Sequence, residues 1–167
     1  ARLLYCSSGI VYHPENNTEY RRNKIAWEKE CLQSGADVVI CRLFSFTGEH
    51  LDDNKAVTQF TRAAKAGEPI RIWGDGSTIR SYMTGEEMGK RMWAVLLHGI
   101  SGESYDIGDT TPITMIKLAK SINAEYGNKS EIIIEGGKDP MPIYLPENAE
   151  KTEELLMMIK TNERLSF

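Results

Sequence analysis

The chain has 167 residues, enough for one domain with a sizeable core, and its length alone gives no reason to expect two. Apolar residues make up 41% and charged residues 26%, a balance that excludes disordered and collagen-like chains. Acidic residues outnumber basic ones by 24 to 20 without a basic stripe, so nucleic acid is not expected as a partner.

Residues 2–7 (RLLYCS) form a short apolar run expected as a buried strand. The chain enters this run directly from Ala1, without Met, which is the start expected of a fragment. Pro14, Asn16 and Asn17 mark a loop, and residues 18–33 then read as a helix with Gly35 as its stop. Residues 37–46 (DVVICRLFSF) are nearly continuous in apolar side chains, as in a central parallel strand. A helix over 55–66 ends at Gly67, and a strand over 69–73 leads into the turn Gly74-Asp75-Gly76. Residues 86–98 are helical, with Met88, Met92, Val95 and Leu96 on one side. A short strand at 105–107 precedes a helix that Thr114 caps and that reaches residue 126. A strand at 130–135 and a helix at 147–158 complete the order.

Strands alternating with helices imply an α/β domain with parallel crossovers. Only two strands in the first third look central, fewer than an open sheet usually has, so part of the sheet is expected to be missing. The longest apolar runs, such as 132–134, are far too short to cross a bilayer and none reads as a signal peptide, so no membrane partner is expected. Cys6, Cys31 and Cys41 make no C-x-x-C pair and read as buried reduced thiols of a cytoplasmic protein. His13, His50 and His98 are scattered, so they receive no role and no metal site is expected.

Tyr20 and Lys24 lie four residues apart in the first helix and share one face. A tyrosine hydroxyl ordinarily titrates near pH ~10, and a neighbouring ammonium favours its ionised form, which brings proton transfer within reach of neutral pH. Ser7 and Ser8, ending the first strand, could add a hydroxyl that holds a substrate oxygen. The pair alone also occurs by chance on many exposed helices.

Ser7-Ser8-Gly9-Ile10-Val11-Tyr12, Tyr20-x-x-x-Lys24 and Arg42-Leu43-Phe44-Ser45-Phe46-Thr47-Gly48 together resemble the extended short-chain dehydrogenases that act on nucleotide sugars. Gly67-Glu68-Pro69-Ile70, Gly74-Asp75-Gly76-Ser77, Arg80-Ser81-Tyr82, Tyr105-Asp106-Ile107-Gly108 and Tyr144-Leu145-Pro146 follow in the order of that family, the NAD-dependent epimerases and dehydratases. The resemblance implies a partial doubly wound, Rossmann-type parallel sheet, taken as the C-terminal portion of the family's fold, with a small α/β substrate-binding subdomain. Residues 1–53 would belong to the former and 54–167 mostly to the latter, the chain weaving between the two.

The same resemblance implies roles. Tyr20 would be the catalytic acid/base, Lys24 would support it and bind the nicotinamide ribose, and Ser8 would hydrogen-bond the reacting oxygen. Leu43 and Phe44 would lie along an NAD or NADP cofactor. Arg80 would grip the pyrophosphate of a nucleoside-diphosphate sugar, a contact suited to a charged fork. Ser45, where the family usually has Asn, and Asn54 would touch the substrate. Asp139 would bind the nucleotide ribose or, more simply, serve a turn ahead of Pro140. A homodimer is expected, since the family pairs through the Tyr20 helix.

Departures narrow the reaction. Dehydratases of this family follow the Ser8 position with an Asp-Glu pair, and here Gly9 and Ile10 stand there. An epimerase or 4-keto reductase is therefore expected ahead of a 4,6-dehydratase or a non-catalytic nucleotide sensor. The Gly-rich turn that carries the cofactor pyrophosphate has no counterpart in the chain, so the chain alone should be inactive.

Overall fold

The structure, a computed structural model, describes residues 1–48, 53–139 and 141–164; His50 lies outside them. Strand β1 (Leu3–Ser8) runs into a short 3-10 helix (Gly9–Tyr12) and then α1 (Glu19–Gln33), where Thr18 accepts the Arg21 N–H at the helix start. β2 (Val38–Leu43) follows, then β3 (Phe46–Thr47) and α2 (Ala56–Ala66). Gly67 closes α2 at φ +69, a left-handed conformation that glycine adopts without strain. Next come β4 (Ile70–Trp73), β5 (Ile79–Arg80), β6 (Met83–Thr84) and α3 (Gly85–His98). β7 (Ser104–Ile107), β8 (Ile113–Thr114), α4 (Met115–Glu125), β9 (Ile132–Gly136), β10 (Ile143–Tyr144) and α5 (Ala149–Arg164) complete the described chain.

The main sheet is parallel, in the order β1-β2-β7. β2 is central, as its apolar run implies, and its side chains divide between the two faces. Val39 and Cys41 pack with Tyr105, Ile107, Met88 and Val95 on the α3 side. Arg42, on the opposite face, reaches Glu28 of α1. A second apolar cluster joins Ile70 and Ile72 of β4 to Phe60 of α2 and Leu118, Ala119 and Ile122 of α4. β4 pairs in parallel with β9, β3 with β6, and β5 lies between β10 and β8.

Three expectations need correction. The sheet is not confined to a C-terminal half: β1 opens it at Leu3, and it draws on the chain from there to Ile107. β1 is not a buried strand along its length, because it lies at one end of the sheet, and Leu3 is 54% exposed. The three cysteines are not all buried either. Cys41, on central β2, is; Cys6, on β1, is exposed and Cys31 is intermediate.

Candidate active site

β1 and β2 end side by side, with Ser8 opposite Leu43, so the segments that follow both strands open on one edge of the sheet. In open α/β sheets that edge, at the carboxyl ends of the strands, is where ligands bind. A cleft of about 820 Å³ lies there, lined by Ser8, Tyr20, Lys24, Leu43, Phe44, Ser45, Asn54, Arg80 and Asp139. The structure thus brings all nine sequence-derived candidates to one cavity.

Tyr20 and Lys24 reach it from the first turns of α1. Tyr20 is 53% exposed, and the Lys24 Nζ lies 5.5 Å from the centre of its ring. The same ammonium donates to the Cys6 carbonyl at 2.7 Å, which ties the helix face to the end of β1. Ser8 is buried and caps the 3-10 helix by accepting the Ile10 N–H at 3.3 Å.

Arg80 and Asp139 meet on the cleft wall. Arg80 donates to an Asp139 oxygen at 2.9 Å and to the carbonyls of Ile79 and Met141 at 2.8 and 2.9 Å. Asp139 also accepts from the Thr78 hydroxyl at 3.2 Å and from the Met141 N–H at 2.8 Å. Asp139 therefore both shapes a turn and neutralises Arg80. These contacts hold the guanidinium in place at the cleft.

The position after Ser8 is closed to a side chain. A Cβ on Gly9 would stand 2.3 Å from the Phe44 ring, and Phe44 is itself 4% exposed. Phe44 follows directly on β2, and its N–H donates to the Ile107 carbonyl at 3.0 Å, which fixes the backbone that carries the ring.

Two features escaped the sequence reading. The first is Tyr144, whose hydroxyl lies 3.1 Å from the Ser8 Oγ and 3.3 Å from the Leu43 carbonyl. Burial pushes its hydroxyl pKa up, so it remains a protonated donor. The second is a polar chain behind the cleft. Glu28 accepts from Ser7 at 2.6 Å and from Arg42 at 3.0 and 2.7 Å. Arg42 also donates to the Tyr12 hydroxyl at 2.7 Å, and Tyr12 donates to Asp106 at 3.0 Å. Asp106 in turn accepts the N–H groups of Glu147 and Asn148 just before α5. A carboxylate amid the apolar positions of α1 and an arginine in an apolar strand were the only sequence signals of this chain of contacts.

Among the described residues no cluster of His, Cys, Asp and Glu could hold a metal ion, and no helix is long and apolar enough to cross a membrane. The family model of the NAD dependent epimerase/dehydratase family matches residues 2–108. Among curated proteins, a dTDP-glucose 4,6-dehydratase of Streptomyces niveus is 30% identical over 103 residues, covering 62% of this chain and 30% of that protein. Among solved structures, a dTDP-glucose 4,6-dehydratase of Bacillus anthracis in complex with NAD superposes with a TM-score of 0.80 at 21% identity, over 93% of this chain and 55% of that one. A UDP-glucose 4-epimerase of Thermotoga maritima with UDP-glucose gives a TM-score of 0.80 at 19% identity, over 91% and 56%. The chain thus spans about half the length of these structures and less of the curated relative. The likeness is not to a C-terminal portion, as the sequence reading had it, but takes in nearly the whole chain from residue 2 onward. The matched family is described as NAD dependent, and the Bacillus anthracis structure is a complex with NAD. On the family-model match and the shared fold, the chain belongs to the NAD-dependent epimerase/dehydratase family.

Proposed function

We propose that the protein is an epimerase or 4-keto reductase acting on a nucleoside-diphosphate sugar, with Tyr20 as acid/base. The observation that carries this reading is the pairing of Ser8, Tyr20 and Lys24 on one cleft with a Gly9 that Phe44 closes to any side chain. That leaves hydride and proton exchange at a ring carbon without the acid pair that dehydration uses.

An NAD or NADP cofactor fits the Tyr20 end of the cleft, where an ammonium and a half-exposed phenol face open space bordered by Leu43 and Phe44. The pyrophosphate end has no comparable support among the described residues: Gly74 and Gly76 turn at φ +84 and +80, but they join β4 to β5 and open no helix. When bound, the nicotinamide supplies the hydride acceptor and donor. Tyr20 takes the proton of the substrate hydroxyl or returns it. Lys24 lies against its ring and would bind the nicotinamide ribose, and Ser8 holds the reacting oxygen. Arg80, fixed by Asp139, would bind the pyrophosphate, and Ser45 and Asn54 would border the sugar. We assign residues 1–53 to the cofactor side and 54–167 mostly to the substrate side. We also assign the homodimer contact to α1, whose Trp27 and Leu32 are 61% and 52% exposed.

A dehydratase with a rearranged acid pair is the second reading, favoured by Glu135 and Asp139, two carboxylates at the cleft, each beside an arginine. The test is to incubate the full-length protein and NAD with UDP-glucose and dTDP-glucose and to follow products by NMR. The C4 epimer supports the proposal, and a 4-keto-6-deoxy sugar supports the second reading. With a substrate that is converted, Tyr20→Phe should lower turnover by roughly 10²–10⁴-fold. Wild-type turnover in that variant would refute the mechanism.

A further inference from the structure

We infer that Glu28 is a positioning residue: by holding Ser7 and Arg42 it sets where α1 stands along β1, and so where Tyr20 stands against Ser8. The inference rests on the proposed acid/base role of Tyr20 and deepens it.

The helix that carries Tyr20 is docked unlike its neighbours. α2, α3 and α4 each bury apolar side chains, Phe60, Val95 and Leu118 among them. In α1 the one buried residue, among the described residues, is Glu28, whereas Ile25, Trp27 and Leu32 are exposed. The face that meets the sheet is polar: Arg21, Lys24 and Glu28 recur at helical spacing and each makes its contact through hydrogen bonds. Arg21 donates to the Val11 carbonyl at 3.1 Å and Lys24 to that of Cys6 at 2.7 Å. Glu28 accepts from Ser7 at 2.6 Å and from Arg42 at 3.0 and 2.7 Å. Ser7 and Arg42 lie opposite each other in the strand register, so one carboxylate ties the helix to both β1 and β2.

Apolar contact is non-directional and tolerates a slide along a helix axis, whereas a hydrogen bond weakens steeply as it is bent. The axial position of α1 is therefore set by its polar ties. Those of Arg21 and Lys24 run through long, flexible side chains to neutral carbonyls. Glu28 is the buried tie, with a charged acceptor and three donors, and it permits the least travel. Tyr20 lies on the same stripe eight residues away, about 12 Å along the helix, and Ser8 directly follows Ser7. A shift at Glu28 is thus carried along a rigid helix to the phenol.

The test compares stability with turnover in the full-length protein at saturating NAD, on whichever of UDP-glucose and dTDP-glucose it converts. In Glu28→Leu/Arg42→Met both charges leave together, so the urea midpoint should stay near that of the wild type. Turnover should nonetheless fall roughly 10- to 100-fold, the effect of a misplacement near ~1 Å at the reacting centre. KM for the sugar should stay within about twofold, because Arg80 is held by Asp139 and not by α1. Ser7→Ala removes one tie without touching a charge. It should lower turnover about 3- to 10-fold in the wild type, but by less than about twofold in the double variant, where its acceptor is gone. Turnover that recovers along with the midpoint in the double variant would overturn the inference and leave Glu28 a residue of stability alone. So would a Ser7→Ala effect of equal size in both backgrounds. If the double variant does not fold, Ser7→Ala in the wild type decides, and unchanged turnover there overturns the inference. Conversion of neither sugar, or wild-type turnover in Tyr20→Phe run alongside, would instead sink the reading on which the inference rests.

Discussion

Replacing Arg42 by Met removes the guanidinium that neutralises Glu28 and feeds the Tyr12 hydroxyl. The Glu28 side chain is 10% exposed and that of Arg42 20%, so water screens the pair little. Hydrogen bonding to Glu28 is the largest influence that holds the Arg42 pKa above its ordinary range. In Arg42→Met two of the three side-chain hydrogen bonds to the Glu28 carboxylate disappear, leaving Ser7 as the donor. Removing one partner of a buried ion pair costs about 3–5 kcal/mol, a large share of the ~5–15 kcal/mol that stabilises a typical domain. At a urea slope near ~2 kcal/mol per M, the unfolding midpoint should fall by roughly 1.5–2.5 M. Equilibrium unfolding followed by circular dichroism measures this. Adding Glu28→Leu removes the stranded charge and should recover most of the loss. A midpoint shift below about 0.5 M in Arg42→Met, or no recovery in the double variant, would refute the view that this pair is buried and mutually dependent.

Three further outcomes follow from the geometry. Gly9→Ala would push a methyl group into the Phe44 ring and should cost about 1–3 kcal/mol, read as a lowered Tm; unchanged stability would mean that the ring moves freely. Burial pushes the Cys41 thiol up to about 12, so at pH 8 it stays protonated, and a disulfide reagent should modify exposed Cys6 in the native protein but Cys41 only after unfolding in urea. Arg80→Ala should raise KM for the sugar nucleotide while leaving kcat nearly unchanged, because its contact would be with the phosphates and not with the reacting carbon; a fall in kcat alone would contradict that role.

The elements legible in the sequence are those whose causes are local. Thr114 as a cap, Gly35 and Gly67 as stops, the apolar period of residues 86–98 and the apolar run of 37–46 placed α4, α1, α2, α3 and β2, with the last extended three residues too far. The Tyr20–Lys24 pair was legible for the same reason, since four residues along a helix fix two side chains on one face. Strands of two residues, such as β5, β8 and β10, are too short to carry a period, and tertiary pairing alone creates them. Tertiary structure also decided that Cys6 is exposed, because β1 lies at an end of the sheet. It set Asp139 on Arg80, 59 residues away, and Tyr144 on Ser8, 136 residues away. Side chains so far apart in the chain share no local signal; they meet because parallel strands end together and because buried polar groups must find partners wherever the fold brings them.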